Sequence, residues 1–186
     1  GQSKSIVSLP GMQDRTVILY TFSKKFAMTG WRLGAAIGPA EIIDHIGRLN
    51  TNEESCTTQF VQWAGIEAIT GDQSGPREIL STLRCRRDIA ITQIKAIPGV
   101  RVHTPNSAFY IFPEVSEAMA RTGHTDVAEF AIAALHNTGV SFCTRRHFGR
   151  PLKGEIGNYI RLAYSGINAP EIERGLSKLG AWVSAS

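Results

Sequence analysis

Lys24 and Arg32 stand in one continuous stretch, Thr21-Phe22-Ser23-Lys24-Lys25-Phe26-Ala27-Met28-Thr29-Gly30-Trp31-Arg32-Leu33-Gly34. A lysine amine that has lost its proton adds to an aldehyde. An arginine fork grips a phosphate through two parallel hydrogen bonds. A small molecule carrying both an aldehyde and a phosphate would engage both residues, and Ser23 adds a hydroxyl beside the lysine. Lys25 follows Lys24 directly, so spacing alone leaves open which amine is the nucleophile. A lysine and an arginine at a strand exit are ordinarily surface cations. The intervening Ala27-Met28, Gly30-Trp31 and Leu33-Gly34 make this stretch more specific than such a pair.

From Phe22 to Gly34 the stretch resembles the cofactor-attachment segment of the class I/II aminotransferases, enzymes of the fold-type I group that use pyridoxal 5'-phosphate (PLP). The resemblance implies that Lys24 is the Schiff-base lysine and that Ser23 and Arg32 hold the cofactor phosphate. It resolves the Lys24/Lys25 ambiguity, because the family places the reactive lysine directly after the serine. Thr21 departs from the glycine or serine usual in the family.

A second segment, Asn158-Tyr159-Ile160-Arg161-Leu162-Ala163-Tyr164-Ser165, sets an arginine inside an apolar strand. A cation there needs an anion, since burying it unpaired is costly. Either a protein carboxylate or a substrate carboxylate would serve. The segment resembles the family strand whose arginine binds the substrate α-carboxylate, which makes Arg161 the substrate-binding candidate. Asn106 to Tyr110 resembles the family segment beside the substrate, with Ser107 where glycine is usual. Gly139 to Phe142, continuing through His147-Phe148-Gly149, resembles the strand and loop at the active-site mouth. There Cys143-Thr144-Arg145-Arg146 replaces a Pro-Gly turn, and Arg145 or Arg146 either attracts an acidic substrate or sits solvated in the loop. The stretch from Ser55 to Thr58 falls where the family brings a neighbouring subunit's residues towards the phosphate, though a helix N-cap at Thr57 explains its hydroxyl equally well.

These residues need elements to position them. Thr16 to Phe22 and Leu33 to Ile37 are strand-like apolar runs. Ala40 to Asn50 carries Ile42, Ile43, Ile46 and Leu49 at helical spacing. A second helix, Thr57 to Thr70, places Phe60, Val61, Ala64 and Ala68 on one side, and Gly71 stops it. Pro76 opens a long helix that runs through Ile97. Strands are expected over Val100 to His103, Ala108 to Phe112, Val140 to Cys143 and Tyr159 to Ala163. Thr125 is expected to cap a helix over Asp126 to Asn137, and Asn168 a last helix to about Val183. The fold class is α/β. By the resemblance, residues 1–75 end the large PLP-binding domain, and residues 76–186 form a connecting helix and a small C-terminal α/β domain.

The chain has 186 residues, of which 42% are apolar and 19% charged, with net charge +4. That is an ordinary globular composition. The basic residues are dispersed, and Arg84, Arg86 and Arg87 read as a solvated helix face without the interleaved aromatics of a nucleic-acid patch. No run is long enough to span a membrane. Cys56, Cys85 and Cys143 lack ligand spacing and read as reduced and buried, the histidines are scattered, and no metal is expected. The opening Gly1-Gln2-Ser3-Lys4 shows no apolar targeting core. These features together suit a cytoplasmic protein.

The resemblance covers Ser5 to Trp182 and implies only the C-terminal half of such an enzyme. The attachment lysine normally falls past the family's midpoint, and the acid that pairs with the ring nitrogen has no counterpart before Lys24; Asp14 reads as a turn residue. The implied reaction moves an amino group between an amino acid and a 2-oxo acid. The implied assembly is a homodimer, with no nucleic acid and no membrane. The half chain alone is expected to be inactive and to bind PLP poorly. The same segments also suit a PLP-dependent lyase or synthase, or the effector domain of a transcription regulator.

Overall fold

A computed structural model describes residues 4–186, and the reading of Gly1 to Ser3 lies outside them. The residues divide into two units, one ending at Leu80 and one comprising Ser81–Ser186.

In the first unit the β-branched and aromatic run supplies β1 (Ile18–Thr21), which pairs antiparallel with β2 (Gly34–Ile37) in the register Ile18 with Ile37 and Thr21 with Gly34. The rung continues one step further, because the Phe22 N–H donates to the Leu33 carbonyl at 3.3 Å. The stretch from Ser23 to Arg32 is therefore the loop of a β-hairpin. Helices α1 (Ala40–Glu53) and α2 (Gln59–Thr70) follow. Helix α2 buries Val61 and Gly65, with Ala64 and Ala68 half-buried beside them. Gly65 is required by packing, since a Cβ there would lie 2.5 Å from a Leu33 methyl carbon and 3.6 Å from the Phe22 ring. Phe60 departs from expectation. Helical spacing groups it on one side with Val61, Ala64 and Ala68, yet it is 66% exposed, on an outward stripe with Trp63, Ile66 and Ile69. Helix α2 is thus apolar on all sides, a pattern that belongs to a helix covered all round.

Helix α3 (Ser74–Lys95) carries Pro76 in its first turn and runs through the division between the units. The unit that begins at Ser81 holds β3 (Tyr110–Ile111), α4 (Ser116–Arg121), α5 (Val127–Thr138), β4 (Cys143–Thr144), β5 (Ile160–Ala163) and α6 (Ala169–Ala185). Its three strands form one antiparallel sheet in the order β3-β5-β4. Ile94, Ile111, Val115, Met119, Phe130 and Val183 belong to a single buried core that draws on the sheet and on α3 to α6. Phe130 sits at its centre, with Trp182 at 5.6 Å and Phe142 at 5.9 Å between ring centroids.

Several elements are shorter than the apolar runs suggest. The expected strand Val100 to His103 contributes one bridge, Arg101 with Glu114. Its partner run is broken by Pro113, which has no N–H to donate to a ladder. Val140 to Phe142 leaves Gly139, whose left-handed φ of 75° caps α5, and reaches a ladder partner only at Cys143. The N-cap of α5 is Asp126 and not Thr125: its carboxylate accepts from the Ala128 N–H at 2.7 Å and the Glu129 N–H at 3.2 Å. A carboxylate also answers the positive end of the helix, which a threonine hydroxyl does less well. Asn168 caps α6 as expected, accepting from the Glu171 N–H at 3.0 Å. The cysteines correct a second expectation. They are free, but Cys56, in the link between α1 and α2, and Cys85 are exposed, and Cys143 is half-buried.

Glu114 is the one acidic side chain among the buried polar residues described. Burial pushes its carboxyl up, but hydrogen bonds from Ser116 and the Arg101 guanidinium outweigh this and hold it below the ordinary value. A depressed carboxyl adds stability above its unfolded pKa, and this is lost as pH falls through the folded value. Glu114→Gln should therefore lower stability at neutral pH by about 1 kcal/mol and flatten the acid arm of the unfolding profile. Urea denaturation from neutral pH down to about pH 2 would measure both.

Candidate active site

The hairpin explains the spacing of the basic stretch. Continuing the register one step past the Phe22–Leu33 rung brings Ser23 and Arg32 to the two feet of the loop. Thr29 ties the feet together: its hydroxyl donates to the Ser23 carbonyl at 3.0 Å, and its own carbonyl accepts from Arg32 Nη1 at 2.8 Å. Thr29 was given no role on sequence grounds, since such a bridge becomes visible only once the loop closes. Arg32 adopts a left-handed backbone, φ 55°, and Ala27 does likewise at φ 53°. Non-glycine residues in this region are uncommon and carry strain that surrounding contacts must hold. Phe22 and Met28 are both buried, and the Phe22 ring lies against Gly65 of α2.

The two lysines differ in surroundings. The Lys25 amine lies over the Phe26 ring, 4.7 Å from its centroid, and Phe26 packs in turn on Phe22 at 5.7 Å. Lys24 begins the turn that follows β1, its carbonyl accepting from the Ala27 N–H at 3.5 Å. Its side chain is exposed and joins no ion pair among the described residues. Both lysines are exposed, and Lys25 alone has its amine drawn over a ring.

Arg32 borders an open cleft of about 870 Å³, together with Trp31, Asn50, Glu54, Thr57 and Thr58. Ser23 and Lys24 are not among its lining residues. Thr58 is the N-cap of α2 but its side chain makes no cap bond, and Thr57 engages only through its carbonyl, which accepts from Gln62 Nε2. The sequence reading offered Thr57 as the cap; the structure leaves both hydroxyls unclaimed by α2. A guanidinium, two hydroxyls and a neighbouring serine are donors that suit a phosphate dianion, with Glu54 the one acid on the rim. Trp31 meets Phe60 of α2 edge-on at 6.3 Å, so it packs the loop against its own unit.

In the unit from Ser81 onward, β5 alternates faces. Ile160 and Leu162 pack on the core, and Arg161 lies on the opposite face. Its register partners there are Cys143 on β4 and, one step beyond the Ile111–Leu162 pair, Phe112. Arg161 Cζ lies 4.3 Å over the Tyr110 ring and 4.6 Å over the Phe148 ring. Its Nη2 approaches Cys143 Sγ at 3.8 Å, a weak acceptor. No carboxylate of the described residues forms an ion pair with it. Of the two anions weighed for Arg161, the protein one is therefore missing among the described residues.

Arg145 and Arg146, offered as cations for an acidic substrate, are both engaged. Arg145 Nε and Nη2 meet the two Glu155 oxygens at 2.6 and 2.9 Å, and its other donors reach the Gly149 and Arg150 carbonyls at 3.2 Å. Arg146 pairs with Asp126, the cap of α5. Glu155 and Asp126 are each held below the ordinary carboxyl value, first by backbone N–H groups and then by their arginines. Arg86 donates to the Ser165 carbonyl at 2.6 Å, so the Arg84 to Arg87 cluster is not wholly solvated.

The sequence profile described as aminotransferase class I and II matches residues 2–179. An asparagine–oxo-acid transaminase of Streptococcus mutans is 36% identical over 161 residues, covering 87% of this chain and 39% of the relative. An aspartate aminotransferase of Bacillus sp. strain YM-2 is 36% identical over 154 residues, covering 83% of this chain and 38% of the relative. Among solved structures, the aromatic aminotransferase of Pyrococcus horikoshii superposes with a TM-score of 0.85 at 28% identity, over 100% of this chain and 47% of that one. The chain thus spans less than half the length of these proteins.

Proposed function

The chain belongs to the class I and II aminotransferase family, and from that premise we propose that it is the C-terminal part of a PLP-dependent enzyme that moves an amino group between an amino acid and a 2-oxo acid. The relatives named as transaminases support this activity. On this reading the residues up to about 75 close the large cofactor domain, and the rest forms the connecting helix and the small domain. The outward apolar stripe of α2 supports a larger body around the first unit. That body would supply the acid for the ring nitrogen and a second subunit. No helix of the described residues is long and apolar enough to cross a membrane.

The observation that carries the proposal is the closed hairpin loop. Ser23 and Arg32 stand at its feet, bridged by Thr29, with the Lys24 amine one residue in. Arg32 and Ser23 would hold the phosphate, and Lys24 Nζ would be the amine that carries the cofactor through its aldehyde carbon, with loss of water. PLP, when bound, supplies the electron sink for the charge left at the substrate α-carbon. Lys24 Nζ, when its amine is free, would accept and return the α-proton as general base. Arg161 orients the substrate by its carboxylate.

Arg32→Ala tests the phosphate assignment. Losing one hydrogen-bonded charge contact costs roughly 1.5–3 kcal/mol, so PLP retention on dialysis of the longer enzyme should fall by at least about tenfold. The absorbance of cofactor that stays bound should be unchanged, because the phosphate does not touch the ring electronically. Full retention would make Arg32 structural.

A further inference from the structure

We infer that Phe148 is a positioning residue for carboxylate recognition: its ring, with that of Tyr110, holds Arg161 Cζ in place while the guanidinium N–H groups stay open to an anion. The inference rests on the reading of Arg161 as the carboxylate ligand. An arginine has several rotatable bonds, and an unrestrained one must be ordered each time it binds. Ion pairing to a protein carboxylate would order it but would occupy its donors. A cation–π contact orders it without an acceptor. Arg161 shows the second arrangement: two rings within 4.6 Å of Cζ, a thiol at 3.8 Å from one nitrogen, and no carboxylate partner among the described residues.

Tyr110 comes from β3, so its place follows from the sheet register. Phe148 comes from a loop, and a loop residue holds a neighbour still only if it is itself held. The Phe148 ring meets Phe112 edge-on at 6.2 Å, and Phe112 stacks on Tyr159 at 5.3 Å. Phe148 ends a short 3₁₀ turn, Arg145–Phe148, whose start is closed by a reciprocal Thr144–His147 capping box. The chain beyond it folds around Arg145, which grips Glu155 with two hydrogen bonds and takes the Gly149 and Arg150 carbonyls as well. The Arg145–Glu155 pair is the pin of the loop, and Phe148 is what the pin positions.

The test follows the Arg161 Nε–Hε signal by NMR in the 186-residue chain, titrated with butanoate and, as the uncharged isostere, butanamide. Butanoate should move the signal and butanamide should not. Phe148→Leu should weaken butanoate binding roughly threefold to tenfold, the ordering cost of one long side chain. Phe148→Tyr, which keeps the ring face, should restore binding to within about twofold. Unchanged butanoate affinity in Phe148→Leu, with Arg161→Met abolishing it, overturns the positioning role alone. Unchanged affinity in Arg161→Met overturns the carboxylate reading and the positioning role with it. If Phe148→Leu loses the dispersed spectrum of the folded chain, Glu155→Gln, which loosens the loop and leaves both rings, is judged by the same two criteria.

Discussion

Lys24→Ala is expected to abolish covalent attachment of PLP to the enzyme that carries this chain, and Lys25→Ala to leave attachment intact. The contrast follows from two neighbouring amines in different surroundings. Lys25 Nζ is drawn over the Phe26 ring, and Phe26 is fixed on Phe22. Lys24 begins the turn after β1, one residue beyond the foot that Thr29 bridges to Arg32. Loss of the only attaching amine removes the bond completely, so the effect is all or none and not a shift in affinity. Borohydride reduction followed by peptide mapping reads it directly, without assaying turnover. A reduced cofactor found on Lys25 would overturn the assignment. Cofactor bound without a covalent link in Lys24→Ala is expected to persist, since Ser23 and Arg32 remain.

Arg161→Ala should have the second-largest effect, on substrate and not on cofactor. Its removal leaves the bound carboxylate without a charge-assisted partner, a loss on the order of 2–5 kcal/mol. Amino acids and 2-oxo acids should suffer alike, as both carry the group. Arg161→Lys should recover only part, because an ammonium lacks the planar fork. Kinetics with one amino acid and its decarboxylated amine decide the matter: equal losses on both would mean that Arg161 does not read the carboxylate.

What could be read from the sequence was what local chemistry determines. The stretch from Phe22 to Gly34 announces itself because its ligands sit on one short loop and the strands on either side are apolar runs. The helices over Val127–Thr138 and Ala169–Ala185 follow from periodicity and from caps within a few residues. What failed depends on neighbours distant in the chain. Phe60 and Val61 are adjacent in sequence, yet only Val61 is buried, and no local pattern distinguishes them. The partners of Arg145 and Arg146 lie at Glu155 and Asp126, so two apparently available cations were already engaged. The rings that hold Arg161 come from β3 and from a loop, and no local pattern points to them.

The hairpin formed by β1 and β2 has one further consequence. A two-stranded sheet is marginal by itself in water, and here its loop is also the segment proposed to bind phosphate. Any ligand that bridges Ser23 and Arg32 ties the feet of the loop from outside, as Thr29 ties them from within. Folding of this unit and cofactor capture are then one linked equilibrium. At a free PLP concentration of about 100 times its dissociation constant the linkage adds about 2.7 kcal/mol to the folded state. On the proposed function, the cofactor would thus act as a folding ligand for the segment that receives it, and its shortage would lower the amount of folded protein as well as its activity.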